Sequence, residues 1–431
     1  MGLLQERCAK YTLPQEFMAQ GIYPYFREIE GKQGTEVMMD GHRVLMFGSN
    51  AYTGLTGDQR VIDAGIAAMQ RYGSGCAGSR FLHGTLDIHV QLEKELAEFV
   101  GKDETLCFPT GFTVNSGVIS QLVDRNDYII CDDRDHASIV DGRRLSFATQ
   151  LKFKHNDMED LEKQLQAAAN CRFKLIVTDG VFSMDGNAAP LDKICELAEK
   201  YDALVMVDEC HSAGVLGKTG RGITELYDLR GKVDILTGTL GKAFGGAVGG
   251  FTTGRKEIID MLRQRSRPYL FSNSLPPAVV GASIEMFKML EESDALHDQL
   301  VANVEHFRTK MVAAGFDIKP TQSAICAVML YDAKLSQDFA AELQQEGVFV
   351  TGFYYPVVPK GQARIRVQVS AGHTREQLEK CVASAAVVCI RPLARMQPPP
   401  RMVMFSLRWA MRAMPWLSWK TTFFSVVSLA R

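Results

Sequence analysis

The chain has 431 residues, 46% of them hydrophobic and 23% charged, with 48 basic against 50 acidic side chains. That is enough for two or three domains with buried cores, and it excludes a disordered chain, a collagen-like repeat and a small disulfide scaffold. The net charge of −2 gives no global basic field for nucleic acid, although the stretch from Lys380 to Arg431 holds eight basic residues, no acidic ones and all three Trp.

The N-terminus, MGLLQERCAK, carries charges where a signal peptide needs an apolar run. The ten Cys form no C-x-x-C pair, so no metal cluster is expected, and reduced thiols in a cytoplasmic protein are the default. No apolar stretch reaches the roughly 20 residues that span a bilayer.

Short apolar runs then alternate with amphipathic ones. Residues 127–133, 174–180, 203–209 and 233–239 read as strands with nearly continuous apolar centres, the pattern of a parallel sheet buried on both faces. Between them, 157–170 repeats Met158, Leu161 and Leu165 at helical spacing, with Asn156 as the expected N-cap. A helix is expected from about Asp294 to Ala314, followed by strands at 325–332 and 363–369 and helices at 335–347 and 374–388. A Pro triplet at 398–400 ends regular structure beyond them.

The expected fold is α/β: a large domain (56–292) with a mainly parallel central sheet flanked by helices, and a smaller α+β domain (293–390). An N-terminal segment (1–55) precedes them, and a basic tail (391–431) comes last.

In such sheets ligands gather at the carboxyl ends of strands. There the sequence puts Asp208 and His211 (VDECH), Ser183 (VFSMDG), and Thr239 and Lys242 (TGTLGKAFGG). Singly, a lysine among small residues is often a solvated lysine, and such an aspartate is often structural. Together they fit pyridoxal 5′-phosphate (PLP) chemistry, in which a lysine binds the cofactor aldehyde and an aspartate pairs with the ring nitrogen.

With these motifs in place, residues 15–390 resemble the α-oxoamine synthases, fold-type-I PLP enzymes that condense a small amino acid with an acyl-CoA. The resemblance implies Lys242 as the cofactor lysine, Asp208 as the partner of the ring nitrogen and His211 as the partner of the ring hydroxyl. His136, in DHASIVDG, matches the imidazole stacked on the ring, and it would also position the acyl group. Gly111 and Phe112, in PTGFTVNSG, match the turn whose amides meet the phosphate, as suits a helix N-terminus. Thr239 would add a hydroxyl to that phosphate, and Ser183 would sit near the ring.

Ser272 and Asn273, in YLFSNSL, match residues that reach the cofactor of a partner subunit, which implies a homodimer. Asn50 (FGSNAYTGL) and Arg366 (ARIRVQV) match substrate positions, with Arg366 clamping the amino-acid carboxylate. His42, His89, His155, His297, His306 and His373 have no such support and read as structural.

Two subgroups of the family share the resemblance. GIYPYFREIEG (21–31), YGSGCAGSRFLHGT (72–85) and FPTGFTVNSG (108–117) lean towards serine palmitoyltransferases, although His83 stands where that group has Asn. From about Phe173 onward, the stretches 177–215, 238–257, 263–277 and 351–374 resemble glycine C-acetyltransferases, also called 2-amino-3-ketobutyrate CoA ligases. That half holds the lysine, the aspartate and the arginine clamp. The expectation from sequence is therefore glycine plus acetyl-CoA giving 2-amino-3-oxobutanoate, with serine plus long-chain acyl-CoA giving 3-oxosphinganine as the alternative. An aminotransferase and an inactive mosaic that only binds cofactor are further alternatives. The tail has no counterpart in the family. A gene end without selected function is favoured over a membrane-surface segment.

Overall fold

The computed structural model describes residues 2–390, so the expectations for the 391–431 tail lie outside the described residues. Two short helices, Leu3–Ala9 and Leu13–Ala19, open the chain, and three short strands follow, β1 (Ile29–Glu30), β2 (Glu36–Met39) and β3 (His42–Met46). Seven more come next: β4 (Glu104–Phe108), β5 (Tyr128–Asp132), β6 (Thr149–Phe153), β7 (Lys174–Asp179), β8 (Ala203–Asp208), β9 (Ile235–Thr239) and β10 (Gly250–Gly254). The last four are β11 (Ile325–Tyr331), β12 (Val348–Phe349), β13 (Thr351–Phe353) and β14 (Ala363–Gln368).

β4 to β10 form one seven-stranded sheet in the order β4-β10-β9-β8-β7-β5-β6. β5, β7, β8 and β9 run parallel, as their apolar runs suggest, and every residue of β7 is buried. The edge strand β6 (TQLKF) joins them in parallel with only Phe153 buried, and the sequence did not mark it. β10 is antiparallel to both neighbours and carries little apolar signal (GFTTG), so the sequence did not mark it. Its glycine Gly250 faces Phe108 on one side and Thr239 on the other.

The helix expected over 157–170 spans Met158–Ala167 and buries Leu161 and Leu165 completely, worth about 2 kcal/mol each. Its N-cap is Asp157, whose side chain accepts from the Asp160 N–H at 2.9 Å. The expected cap, Asn156, instead takes a left-handed φ of 55° in the turn before the helix, a conformation asparagine tolerates.

The C-terminal strands form a separate antiparallel sheet, β11-β14-β13, against the helices Ala295–Ala313, Ala333–Gln345 and Arg375–Ile390. The N-terminal strands join that half of the chain, because β12 pairs parallel with β3 and sets Val348 opposite Leu45. Phe47 continues this seam, stacked on His373 at 4.2 Å and on Phe307 at 6.1 Å. Among the described residues no helix is long and apolar enough to cross a membrane.

Candidate active site

The parallel register brings the carboxyl ends of β7, β8 and β9 together: Asp179 stands opposite Asp208, and Asp208 opposite Thr237. The chain turns sharply after β9, where Gly245, Gly246 and Gly249 have φ of 92°, 69° and 134°, open to glycine at little cost. That turn delivers Lys242 to a cavity of about 210 Å³. Eight of the residues singled out from sequence line it: Gly111, Phe112, His136, Ser183, Asp208, His211, Thr239 and Lys242.

Lys242 Nζ lies 3.0 Å from His211 Nε2, and His211 Nδ1 lies 2.8 Å from the Tyr52 hydroxyl. Burial, with Lys242 and Arg366 nearby, holds the His211 pKa well below the usual histidine value, so the ring is neutral. Asp208 is buried, and among the described residues no Lys or Arg forms an ion pair with it. Its Oδ2 accepts from Asn115 Nδ2 at 2.6 Å and its Oδ1 from the Cys210 N–H at 2.8 Å. A buried carboxylate with neutral donors suits a cationic group arriving from outside the chain.

His136 caps the helix Ala137–Arg144, its Nδ1 accepting from the Ser138 N–H at 3.2 Å. Its own N–H donates to Asp179 Oδ2 at 2.7 Å. Burial lowers the His136 pKa and Lys242 lowers it further, against the opposing pull of Asp208. Burial beside Asp208 raises the Asp179 carboxyl well above the usual range.

The helix Gly111–Leu122 begins at the cavity wall. Thr110 caps it by accepting from the Thr113 N–H at 3.1 Å, while the Gly111 and Phe112 N–H groups precede any helical carbonyl that could take them. A Cβ on Gly111 would come 3.0 Å from the Thr239 Cβ, and one on Gly250 would come 2.6 Å from the Gly111 nitrogen. Backbone and helix start thus form a cradle whose free amides fit a phosphate, beside Thr239, whose hydroxyl donates to the Gly249 carbonyl at 3.0 Å and accepts from the Gly241 N–H at 3.0 Å.

The remaining expected residues lie outside that cavity. Arg366 reaches its rim, donating from Nη1 to the Ser183 carbonyl at 3.0 Å while its guanidinium lies 4.9 Å over the Phe353 ring. Asn50 lines a neighbouring cavity of about 340 Å³ and accepts from Gln368. Asn273 is exposed and bridges to Ser79, and Ser272 ends the helix Arg267–Phe271. Neither lines the cavity of its own chain.

Sequence reading passed over Tyr52, Asn115, Ser138 and Asp179. Asn115 Nδ2 also donates to Ser138 Oγ at 2.9 Å, and Ser138 Oγ lies 2.7 Å from His136 Nδ1, so one buried network ties Asp208 to His136. Both residues sat inside quoted motifs (FTVNSG and DHASIV), but nothing in a linear motif shows that two loops meet.

The model of the aminotransferase class I and II family matches residues 42–384. Serine palmitoyltransferase of Bacteroides ovatus is 56% identical over 382 residues, covering 89% of this chain and 97% of that protein. 2-Amino-3-ketobutyrate coenzyme A ligase of Escherichia coli K12 is 50% identical over 367 residues, covering 84% and 92%. A solved structure of SPT with PLP superposes with a TM-score of 0.87 at 34% identity, covering 91% of this chain and 99% of that one. With a family match across most of its length and relatives at least half identical over nearly all of theirs, the chain belongs to the aminotransferase class I and II family, on its α-oxoamine synthase branch.

Proposed function

We propose that this α-oxoamine synthase is a PLP-dependent acyltransferase that joins serine to a long-chain acyl-CoA, releasing CoA and, from the serine carboxylate, carbon dioxide. The convergence of Lys242, Asp208, His211 and His136 on one cavity of about 210 Å³ carries the reading. The choice of serine is supported by the greater identity to serine palmitoyltransferase, which also extends over more of the chain. Glycine plus acetyl-CoA, put first from sequence, is the second reading. It is favoured by the likeness of the lysine-bearing half to glycine C-acetyltransferases and by the 50% identity to a 2-amino-3-ketobutyrate ligase.

When bound, PLP supplies an electron-withdrawing ring that stabilises negative charge at the amino-acid α-carbon. The rest falls to the chain's own residues. Lys242 is the attachment point, and its amine takes and returns the α-proton. Asp208, held by Asn115 and the Cys210 N–H, sets its carboxyl where a ring nitrogen would need a counter-ion. The Gly111 and Phe112 amides, with Thr239, would hold the phosphate, and His211 would meet the ring oxygen. Ser183 would contact the ring, and His136 would stack on it and position the acyl group. Arg366 keeps guanidinium nitrogens beyond the Ser183 contact for the substrate carboxylate, and Asn50 would meet the substrate from the neighbouring cavity. Ser272 and Asn273 complete the site of a second copy in a cytoplasmic homodimer.

Comparing kcat/KM for serine with palmitoyl-CoA against glycine with acetyl-CoA tests the substrate choice. The proposal expects the serine pair to be favoured by at least about tenfold, a difference of about 1.4 kcal/mol in transition-state binding. The reverse preference would install the glycine reading.

A further inference from the structure

The Tyr52 hydroxyl sits at the centre of a buried polar group that the proposed mechanism leaves unused. Tyr52 has no exposed surface, and its oxygen lies 2.8 Å from His211 Nδ1, 3.2 Å from Gln368 Nε2 and 3.4 Å from Asn50 Oδ1. A phenol has one proton to give and lone pairs to receive. Gln368 Nε2 is a donor only, so Tyr52 accepts from it. The Tyr52 proton then goes to His211 Nδ1, the nearer of its two remaining partners. Asn50 Oδ1 has a donor of its own in Gln368 Nε2.

We propose that Tyr52 is a positioning residue: its hydroxyl donates to His211 Nδ1 and so fixes the imidazole proton on Nε2, the nitrogen that faces Lys242 and the cavity. The Nε2–H then presents a donor into the site for the ring oxygen of the cofactor, in place of the Lys242 amine that lies 3.0 Å from Nε2 without it. The proposal rests on the function proposed above. Tyr52 suits the part because burial pushes its pKa up to about 12, against the pull of Arg366, so it keeps its proton throughout the working range. The charged and titratable groups facing His211 are Lys242 from the turn after β9, Arg366 from β14 and His136 from the helix start. All three disfavour a cationic ring and none supplies an acceptor at Nδ1, so once the Lys242 amine no longer faces Nε2 the choice between the two neutral tautomers falls to Tyr52.

The first test is ¹⁵N NMR of histidine-labelled wild-type protein reconstituted with PLP, with His211→Gln used to assign the signal. The proposal expects a protonated Nε2 and an unprotonated, hydrogen-bonded Nδ1; a proton on Nδ1 would overturn it. The second uses Tyr52→Phe reconstituted with PLP. Loss of the fixed donor should raise the midpoint of the cofactor band's pH titration by about one unit. In a His211→Gln background the amide donates whatever residue 52 is, so Tyr52→Phe should add no further shift. A Tyr52→Phe midpoint equal to wild type in a folded, cofactor-loaded protein would reduce Tyr52 to a packing role. Absence of any cofactor band in wild-type protein would instead sink the proposed function and this use of His211 with it.

Discussion

Asn115 Nδ2 lies 2.6 Å from Asp208 Oδ2, and the same nitrogen lies 2.9 Å from Ser138 Oγ, so one amide orients both the buried carboxylate and the support of His136. Its carbonyl oxygen is taken by Thr237 Oγ1 at 3.0 Å, which fixes the amide's orientation. Removing the donors with Asn115→Ala should lower kcat/KM by roughly tenfold to a hundredfold. Asn115→Asp should be worse than Ala. It sets a second carboxylate against Asp208, one of the pair must take a proton, and the ring nitrogen loses its counter-ion. Steady-state kinetics on the two variants give the order; Asp milder than Ala would contradict this account of the network.

The phosphate cradle depends on the absence of a side chain at Gly250. A methyl there would stand 2.6 Å from the Gly111 nitrogen and 2.7 Å from its Cα, both backbone atoms that cannot swing away. Gly250→Ala should therefore weaken PLP binding by about tenfold or more, since about 1.4 kcal/mol of displaced contact is enough. Titrating cofactor into the cofactor-free variant and following the absorption band measures this directly. Unchanged affinity would place the phosphate elsewhere.

Arg366 should act on one substrate only. Arg366→Ala is expected to raise the KM for the amino acid by at least about tenfold while leaving that for acyl-CoA near wild type. Arg366→Lys should not restore it, because an ammonium cannot both hold the Ser183 carbonyl and pair in two-pronged fashion with a carboxylate. Equal rises in both KM values would mean that the arginine only braces the 183 loop.

His373, left as structural by the sequence reading, gives a pH prediction. Its Nδ1 accepts from the Ser370 N–H at 2.9 Å and its Nε2 meets the Met46 carbonyl at 3.1 Å, a pairing that only the neutral ring can make. Burial lowers its pKa to about 4 from the ordinary 6.5. The unfolded chain therefore takes up a proton as pH falls below 6.5 while the folded chain does not, and stability is lost across that window. Wild type should lose about 2 kcal/mol through this group between about pH 7.5 and 5. Glu209, raised by burial to about 7, works in the opposite direction, so the total profile mixes signs. The stability difference between wild type and His373→Asn isolates the effect, and it should shrink by about 2 kcal/mol from about pH 7.5 to 5. A constant difference would show that the ring does not change charge state on unfolding.

The parts of the fold legible in the sequence were those with strong periodicity or continuous apolar runs. The strands ending in Asp179, Asp208 and Thr239 and the helix built on Leu161 and Leu165 needed nothing else. β10 escaped because two of its five residues are glycine, and glycine carries neither strand propensity nor apolar signal. The pairing of β3 with β12 escaped because some three hundred residues separate them. In the site, linear motifs marked side chains that face the cavity. Residues that hold those side chains were invisible: Tyr52, Asn115 and Ser138 belong to three separate segments, and only the fold brings them beside His211, Asp208 and His136. Asn156 failed as a cap because its neighbour Asp157 is as good a capping residue, and the chain's turn decided between them.

The central claim is that acyl transfer takes place at Lys242. The most direct measurement tracks the PLP absorption band and CoA release in the same preparation, for wild type and for Lys242→Ala, with serine plus palmitoyl-CoA. The account predicts a lysine-dependent band and steady CoA release in wild type, with both lost in the variant and release down by about a thousandfold or more. Wild-type rates of CoA release from Lys242→Ala, or a band unchanged by the substitution, would contradict it.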